Sequence, residues 1–510
     1  MYDEYEAYAA MQANQPIPFE PKPLAIAIKE RDPKWSTRQC TIFDAIEQTN
    51  DNLLISAVAG SGKTTTIVEG IKLTTGNSIF LAFNKAIAEE LKLRGVNART
   101  FHSLTYSVVT RFLGIRQIDS DKLRKLCSRN LKGDDNFIYA SFICRLVGIG
   151  KQCGIGVLID QTDTNWMRII NHYDLELDNE KGNIDTAIEL AHDLLKWSNE
   201  DNSADFDDLL YLPVLRGMTL AKYDTIFLDE AQDTNAIQRA LLKKIMHKNS
   251  RLVAVGDRAQ AIYGFRGSDS DSLDLIKNEF RCRELPLDIT YRCAKSIVKQ
   301  AQKYVPEITA ADTAGEGEVK NLGNGWELDS FLPQDLIVCR TTKPLISMAL
   351  KFLKVRKPAF IMGREIGDSL KSTVNKMKAS DVDGMLDKLE VYTEREYQKA
   401  IAKGQEGKAE SIYDKRDAIE ALANSLPEGE RTLYTLLNII DEIFRNKGDA
   451  VVLATIHKSK GLEAERVFWL NASKCPASWV KLQWQKVQED NLCYVAITRA
   501  KNYLALIEEK

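Results

Sequence analysis

A short apolar run, Leu53–Ala57, is followed by a glycine-rich turn and then by a helical pattern that starts at Lys63. The run has the length and composition of a buried strand. Glycines at positions 60 and 62 let backbone N–H groups turn toward an anion, and the positive end of the helix dipole adds to that attraction. A strand, such a loop and a helix form the structural context of a phosphate-binding loop. The pattern therefore predicts a parallel α/β core that binds a nucleotide.

Two side chains of this loop have chemistry suited to phosphates. Lys63 can reach the β- and γ-phosphates, and the hydroxyl of Thr64 can bind Mg²⁺. Ala57 stands where the usual pattern has its first glycine, and a chance strand–turn–helix is the alternative interpretation. We expect the nucleotide to contact a continuous set of residues: Ala59, Gly60, Ser61, Gly62, Lys63, Thr64 and Thr65.

A second apolar run, Thr225–Leu228, ends in the acidic pair Asp229 and Glu230. Asp229 can hold Mg²⁺ through its water shell, and Glu230 can orient a hydrolytic water. A solvated strand end would explain the pair equally well on its own. Together with the phosphate-binding loop, however, the pair favours hydrolysis over phosphoryl transfer to a second substrate.

The length of the chain predicts several domains, and its charge is unevenly distributed. At about 150 residues per domain, 510 residues suggest three to four domains. The formal net charge of -3 does not by itself indicate a nucleic-acid-binding protein. The stretches 92–132 and 343–378 are nevertheless basic, and the stretch 160–233 is acidic. Such stretches are often solvated faces.

Cysteine usage and the amino terminus predict a soluble, cytoplasmic protein. The 9 cysteines are odd in number and scattered, without a Cys-x-x-Cys pair, which favours reduced thiols over a disulfide framework or a zinc site. The first residues are acidic and lack the pattern of a signal peptide. No apolar segment approaches the roughly 18 residues that span a bilayer.

Several blocks in a fixed order resemble the UvrD/Rep-like branch of superfamily 1 DNA helicases. They extend from an upstream glutamine to a late arginine block and cover most of the chain. In addition to the loop, the blocks are 36–39, 83–86, 100–104, 229–233, 256–267, 291–292, 457–463 and 494–500.

The resemblance implies a fold of two RecA-like parallel-sheet P-loop cores, each interrupted by a mainly helical accessory insert. We expect the first core at residues 1–108 and 212–283, with its insert at 109–211. The second core is expected at 284–365 and 446–510, with a reduced insert at 366–445. ATP and Mg²⁺ are the implied cofactors.

The resemblance also implies catalytic roles beyond those of Lys63 and Glu230. Gln260 is expected to sense the γ-phosphate or its attacking water. Arg292 and Arg499 are expected to act as arginine fingers that stabilise the developing phosphate charge. Surface salt bridges are the alternative for both arginines.

Three further residues are implied to bind the nucleotide. Gln39 is expected to read the adenine, and Tyr291 to stack on it. Glu463 is expected to contact the ribose or to lie where the two cores meet.

For DNA, the clearest candidates are Tyr263, Phe265 and Arg266. Aromatic side chains beside an arginine can stack on bases without reading sequence; two aromatics at alternating spacing in a core are the alternative. The resemblance implies that Thr100 and His102 contact the DNA backbone or lie along the DNA path. A metal site at His102 is disfavoured because no second histidine stands at metal-ligand spacing. Relatives often carry a phenylalanine just before the second block, where this chain has Ala82 followed by Phe83, so the resemblance assigns stacking to neither.

The sequence thus predicts an ATP- and Mg²⁺-dependent translocase on single-stranded DNA that unwinds tailed duplexes without sequence preference. The form of the Asp229–Asp233 block implies 3′ to 5′ polarity and a role in replication, repair or recombination. Two alternatives remain open: a translocase that strips bound proteins without unwinding, and a P-loop ATPase switch that is not a motor.

Overall fold

The computed structural model describes residues 29, 31–173, 175, 177, 181–262, 271–402, 406–446, 448–477, 480 and 483–510. The chain forms two compact units. The first contains the residues up to Val58 together with Gly62–Asp288, and the second contains Ala59–Ser61 together with Ile289–Lys510. Among the described residues, no helix combines the length and apolar character needed to cross a membrane.

The first unit is built on a six-stranded parallel sheet with the strand order β3-β2-β4-β5-β1-β6. Continuous apolar runs form its central strands because both faces of the sheet are covered by helices. The strands are β1 Leu53–Ala57, β2 Ser78–Leu81, β3 Ala98–Arg99, β4 Tyr223–Leu228, β5 Met246–Gly256 and β6 Arg283–Leu287. The strand predicted at Leu53–Ala57 and the helix predicted to start at Lys63 both occur.

Eleven α-helices of the described residues belong to this unit. They are α1 Thr37–Gln48, α2 Lys63–Lys72, α3 Lys85–Leu93, α4 Phe101–Leu113, α5 Lys122–Asn130, α6 Asp135–Cys153, α7 Asp163–His172, α8 Ile184–Glu200, α9 Phe206–Leu215, α10 Ala236–Ile245 and α11 Ser272–Glu279. Helices α5 to α9 lie between β3 and β4 in sequence and share one apolar core with the adjoining face of the sheet. The domain boundaries themselves stay a prediction.

The strand order decides where functional groups can collect. In a parallel sheet all carboxyl ends lie at one edge, which is where α/β proteins bind their ligands. Strands β4, β5 and β1 are consecutive neighbours in the sheet. The residues that follow them, near Asp229, Asp257 and Gly60, therefore leave the sheet on the same side.

A buried ionic network ties three helices of the first unit together. The Nζ atom of Lys122 lies 2.6 Å from Oδ2 of Asp208, and the Nζ atom of Lys151 lies 2.6 Å from its Oδ1. Lys151 also contacts Asp205 at 3.1 Å. Both ammonium groups are almost completely buried. Removing one member of such a network leaves an uncompensated charge in the interior, so the network fixes where α9 begins relative to α5 and α6.

The second unit repeats the parallel design. Its main sheet has the strand order β11-β12-β10-β13-β14-β9, and β7 pairs with β8 separately. The strands are β7 Ile289–Thr290, β8 Thr309–Ala310, β9 Glu318–Gly323, β10 Leu336–Cys339, β11 Ala359–Ile361, β12 Val451–Thr455, β13 Ala464–Leu470 and β14 Ala500–Ile507. The apolar runs at 336–339, 451–455 and 467–470 of the sequence all lie in these strands.

Helices of the second unit flank this sheet or form a separate helical segment between β11 and β12. They are α12 Lys295–Ala301, α13 Lys343–Lys354, α14 Arg364–Lys376, α15 Val382–Ala402, α16 Glu406–Asn424, α17 Leu433–Ile443, α18 Ile456–Ser459 and α19 Gln483–Ile497. Asp414 of α16 accepts hydrogen bonds from the backbone N–H groups of Thr342 and Lys343, both at 2.8 Å. This carboxylate caps α13 and attaches the helical segment to the sheet layer.

We predict that Asp207→Asn stabilises the first unit in a pH-dependent way. Burial and the charge of Asp205 raise the pKa of Asp207 to about 6, against the opposing charge of Lys151. The native state therefore binds this proton more tightly than the unfolded chain, and ionisation costs stability as the pH rises from about 4 to about 6. The variant should be more stable than the parent above pH 6, by about 1–3 kcal/mol.

Melting temperatures across this pH range measure the effect. The gain should shrink as the pH falls through about 4 and disappear at about pH 3, where the parent carboxyl is protonated in both states. Asp193→Asn on the exposed side of α8 is the control and should show no such trend. A gain for Asp207→Asn that is the same at all pH values would contradict the assignment.

Candidate functional site

The phosphate-binding loop of the first unit ends in backbone suited to holding an anion. Gly62 precedes α2 with φ 78° and ψ 30°, a left-handed conformation that favours glycine. No side chain caps the start of α2 by accepting a hydrogen bond from its first backbone N–H groups. Lys63 begins this helix and Thr64 follows it, both partly exposed. These donors and the helix dipole fit a phosphate group.

Gln39 lies beside the start of α2. Its side-chain Oε1 accepts a hydrogen bond from the backbone N–H of Ser36 at 3.1 Å, which closes the capping box of α1. Its Nε2 donates to Oγ1 of Thr66 at 3.0 Å, and the same nitrogen would lie 3.6 Å from a Cβ placed on Gly62. The structure therefore places Gln39 beside Gly62 and fixes its orientation, and its role in reading adenine stays a prediction.

Two carboxylates follow β4, as the sequence predicts, and one of them is strongly perturbed. Asp229 is buried, and burial together with the charge of Glu230 raises the pKa of Asp229 to about 7. The positive charge of Lys63 opposes that rise. Glu230 has φ 49°, a left-handed backbone that costs a non-glycine residue about 1–3 kcal/mol. Such strain is typical of functional positions.

A hydrogen-bonded chain connects the ends of β4 and β5. Gln232 donates from Nε2 to Oε2 of Glu230 at 2.5 Å and accepts at Oε1 from the backbone N–H of Asp257 at 3.0 Å. Oδ2 of Asp257 in turn accepts from Nε2 of Gln260 at 2.6 Å. A Cβ on Gly256 would lie only 2.7 Å from Oε1 of Gln232, so this position requires glycine. The chain holds Glu230 and Gln260 in one network.

Asp257 extends the ionic pattern around Lys63. Burial raises the pKa of this carboxyl, and the charge of Glu230 adds to the shift, whereas Lys63 and the hydrogen bond from Gln260 oppose it. The charge of Lys63 therefore acts on two buried carboxyls, Asp229 and Asp257. Sequence reasoning assigned no role to Gln232 or Asp257. The signal that could have identified them is their polarity shortly after apolar strands, within the blocks 229–233 and 256–267.

The oxygen groups near Lys63 are compatible with Mg²⁺. Among the described residues, no cluster of three or more His, Cys, Asp or Glu side chains is arranged to bind a metal ion. The hydroxyl of Thr64 and the carboxylate of Asp229 would therefore share such an ion with phosphates and water. Mg²⁺ is commonly bound in this way, with one or two carboxylates and several waters.

Of the remaining predicted nucleotide-site residues, Thr65 is exposed on α2 of the first unit, and the others belong to the second unit. Ala59 donates its backbone N–H to the hydroxyl of Tyr494 at 2.8 Å, and the carbonyl of Gly60 accepts from the backbone N–H of Tyr291 at 2.8 Å. The side chain of Tyr291 is half-exposed, and Ser61 is buried. The amide of Ala59 thus already has a protein partner, whereas the ring of Tyr291 presents an accessible face.

Arg292 and Glu463 form an ion pair in the second unit. The Nε atom of Arg292 lies 2.7 Å from Oε2 of Glu463, and Lys501 contacts the other carboxylate oxygen at 3.0 Å. Burial would raise the pKa of Glu463, but the hydrogen bond from Lys501 and the charge of Arg292 outweigh it and hold that pKa below its usual value. Glu463 therefore stays ionised and positions a predicted arginine finger.

Arg499 is only 1% exposed. Its guanidinium donates to the carbonyls of Val495 and Leu462, both at 3.0 Å, and to the hydroxyl of Thr498 at 3.4 Å. The geometry differs from that of a surface salt bridge, the alternative considered from the sequence. Its role as an arginine finger stays a prediction.

A second group of predicted residues follows β3 in the first unit. Thr100 caps α4 in a reciprocal capping box with Ser103. The ring of His102 lies 6.0 Å from that of Phe206, at an interplanar angle of 74°. Burial lowers the pKa of His102, which keeps the imidazole neutral near pH 7. Phe206, which sequence reasoning missed, is 57% exposed.

Phe83 lies at the end of the neighbouring strand β2. Ala82 is buried, whereas Phe83 is 48% exposed. This difference in exposure separates the two residues, to neither of which the sequence assigned base stacking. Phe83 is exposed at the same sheet edge as Thr100. Tyr263, Phe265 and Arg266, predicted to bind DNA, lie outside the described residues.

Comparisons with known proteins match both halves of the chain. The profile described as "UvrD/REP helicase N-terminal domain" matches residues 40–281, and that described as "UvrD-like helicase C-terminal domain" matches residues 370–510. The ATP-dependent DNA helicase Rep of Buchnera aphidicola subsp. Schizaphis graminum is 26% identical over 51% of this chain and 43% of its own length.

Two further relatives have similar identity. The F-box DNA helicase protein 1 of Schizosaccharomyces pombe is 26% identical over 89% of this chain and 55% of its own length. The DNA helicase II of Haemophilus influenzae is 25% identical over 50% of this chain and 38% of its own length. The chain thus spans about half the length of the relatives it matches, or less.

Proposed function

The chain belongs to the UvrD/Rep-like family of superfamily 1 DNA helicases, and from that premise we propose that it is an ATP- and Mg²⁺-dependent DNA helicase. One observation carries the proposal beyond the family: Glu230 and Gln260 share one hydrogen-bonded chain, next to carboxyls on which the charge of Lys63 acts. A set of groups of this kind suits hydrolysis of a phosphoanhydride.

Both backbone and side-chain groups of the first unit would bind ATP. The uncapped N–H groups at the start of α2 would receive the phosphates, and Lys63 would neutralise their charge. Thr64 and Asp229 would hold Mg²⁺, which polarises the phosphoryl oxygens when bound. Gln39, fixed by its contacts to Ser36 and Thr66, is placed to read the base.

Hydrolysis requires an oriented water, and Glu230 is the residue proposed to orient it. Its carboxylate accepts a hydrogen bond from Gln232, and the surrounding contacts hold its left-handed backbone in place after β4. Gln260 is held by Asp257 in the same network. Gln260 is proposed to sense the γ-phosphate, and it lies three residues before Tyr263. A change sensed by Gln260 would therefore have a short covalent path to Tyr263, Phe265 and Arg266, the predicted DNA contacts. Arg292 and Arg499 are the proposed sources of positive charge from the second unit.

The DNA track is proposed to cross the sheet edge formed by the ends of β2 and β3. Phe83 and Phe206 expose aromatic faces there, and His102 supports the ring of Phe206. Each base stacked on such a ring is worth about 1–3 kcal/mol, independent of sequence. A motor that moves along DNA benefits from contacts of this kind because every base offers a π-face. Tyr263, Phe265 and Arg266 extend the proposed track.

We predict that Phe206→Ala weakens binding of single-stranded oligo(dT) about 10-fold, the result of losing one stacking platform worth about 1–3 kcal/mol. Fluorescence anisotropy with a labelled oligonucleotide measures the affinity. Phe206→Trp should retain it, because the indole also stacks. Phe112→Ala is the matched control: Phe112 is similarly exposed, at 59%, but lies at the far end of α4. Equal effects of the two alanine substitutions would remove Phe206 from the track.

Strand separation and its direction test the proposed function as a whole. Because the Asp229–Asp233 block resembles the 3′ to 5′ branch, we expect ATP-dependent unwinding of duplexes with a 3′ single-stranded tail and none with a 5′ tail. Unwinding from the 5′ tail alone would reverse the polarity. DNA-stimulated hydrolysis without strand separation from either tail would replace the helicase with a translocase that does not unwind. The same assay with RNA tails defines the track.

A further inference from the structure

A small cavity opens on the outer side of strand β3 in the first unit. It has a volume of about 220 Å³ and is lined by Lys92, Asn97, Ala98, Arg99 and Ser103. β3 is the edge strand of the sheet, and its other side pairs with β2 in the register Leu81 to Arg99. The cavity is therefore bounded by the sheet edge, the end of α3 and the start of α4.

The lining carries two cations and no acidic side chain. Lys92 and Arg99 are both exposed, and in the part of the chain that the structure describes neither has a carboxylate within 4 Å. The other cations of α3 and its cap are paired, Arg94 with Glu90 at 2.5 Å and Lys85 with Glu89 at 3.5 Å. The charge that remains unpaired is thus the charge that faces the cavity.

The size of the cavity limits what can occupy it. Pockets for whole small-molecule ligands are typically about 300–1,000 Å³, larger than this one. A single phosphodiester group is small enough, and an arginine next to a lysine suits its charge and its paired oxygens. The polar groups of Ser103 and Thr100 are already engaged in their capping box, so the cations are the main source of attraction.

The position of the cavity connects it to the proposed DNA track. Arg99 directly precedes Thr100, and the ring pair of His102 and Phe206 begins two residues later along the chain. A strand whose base stacks on Phe206 would carry its backbone past the end of β3. The basic stretch 92–132, unexplained by the nucleotide site, supplies both cations.

We propose that the cavity formed by Lys92, Arg99 and Ser103 is a subsite for a backbone phosphate of single-stranded DNA. The inference rests on the proposed function and deepens it, because it adds an electrostatic grip to the stacking contacts. Phosphate contacts position a strand without reading its sequence, which agrees with a sequence-independent track. They also make affinity depend on salt, since each neutralised phosphate of a single strand adds about 0.7 to the slope of log K against log salt.

The test is the salt dependence of oligo(dT) binding to Lys92→Ala/Arg99→Ala in the full chain. We expect weaker binding at low salt, convergence with the parent at high salt, and a slope smaller by about 0.7 because one phosphate contact is lost. Arg124→Ala/Lys132→Ala is the matched control, because it removes the same charge from the basic stretch but not from the cavity. Its slope should stay close to that of the parent.

Further arms separate the outcomes. A slope unchanged in Lys92→Ala/Arg99→Ala, or reduced equally in the control pair, overturns the subsite. Inorganic phosphate added at constant ionic strength should compete weakly with oligo(dT); tight competition that the cavity variant abolishes would identify a free-anion site instead. Lys92→Gln/Arg99→Gln repeats the test with longer polar side chains if the alanine pair lowers the melting temperature. A parent protein that fails to bind oligo(dT) refutes the proposed function, whereas a binding parent with an unchanged slope refutes only the subsite.

Discussion

The parallel order β4-β5-β1 is the constraint on which the candidate site depends. It brings the ends of three strands to one edge of the sheet, so that Lys63 follows one strand and Asp229 and Asp257 follow the other two. Burial alone would favour the protonated forms of these carboxyls. The ammonium of Lys63 opposes that effect, and the two carboxyls in turn give a nearby cation an attractive environment. A sheet with a different strand order would separate these charges.

Hydrogen bonds then fix the side chains at the ends of β4 and β5 relative to one another. Gln232 bridges Glu230 and the backbone of Asp257, and Asp257 holds Gln260. These groups come from two neighbouring strands, so a shift of one strand end is transmitted to the other through three short contacts. The close approach at Gly256 shows how little space the bridge has. We regard the left-handed backbone of Glu230 as part of the same arrangement, held in place by the surrounding contacts.

The sequence was most informative where structure is local. The strand Leu53–Ala57 and the start of α2 follow from an apolar run, two glycines and a helical pattern. The two-residue strand β3 gives no periodic signal because it is too short, although it positions Thr100 and the basic cavity. The contact between His102 and Phe206 joins distant parts of the chain, so no local pattern predicts it. The exposure of Phe83 and the burial of Ala82 likewise depend on packing that a single sequence does not reveal.

The most direct test of the central claim is the rate of ATP hydrolysis with and without single-stranded DNA, in the parent protein and in Lys63→Ala. Lys72→Ala is the control on the same helix, because Lys72 is exposed and pairs with Glu69. We predict that DNA stimulates hydrolysis by the parent and by Lys72→Ala, and that Lys63→Ala shows no detectable hydrolysis under either condition. Normal turnover by Lys63→Ala, or hydrolysis by the parent that is indifferent to DNA, would contradict the account.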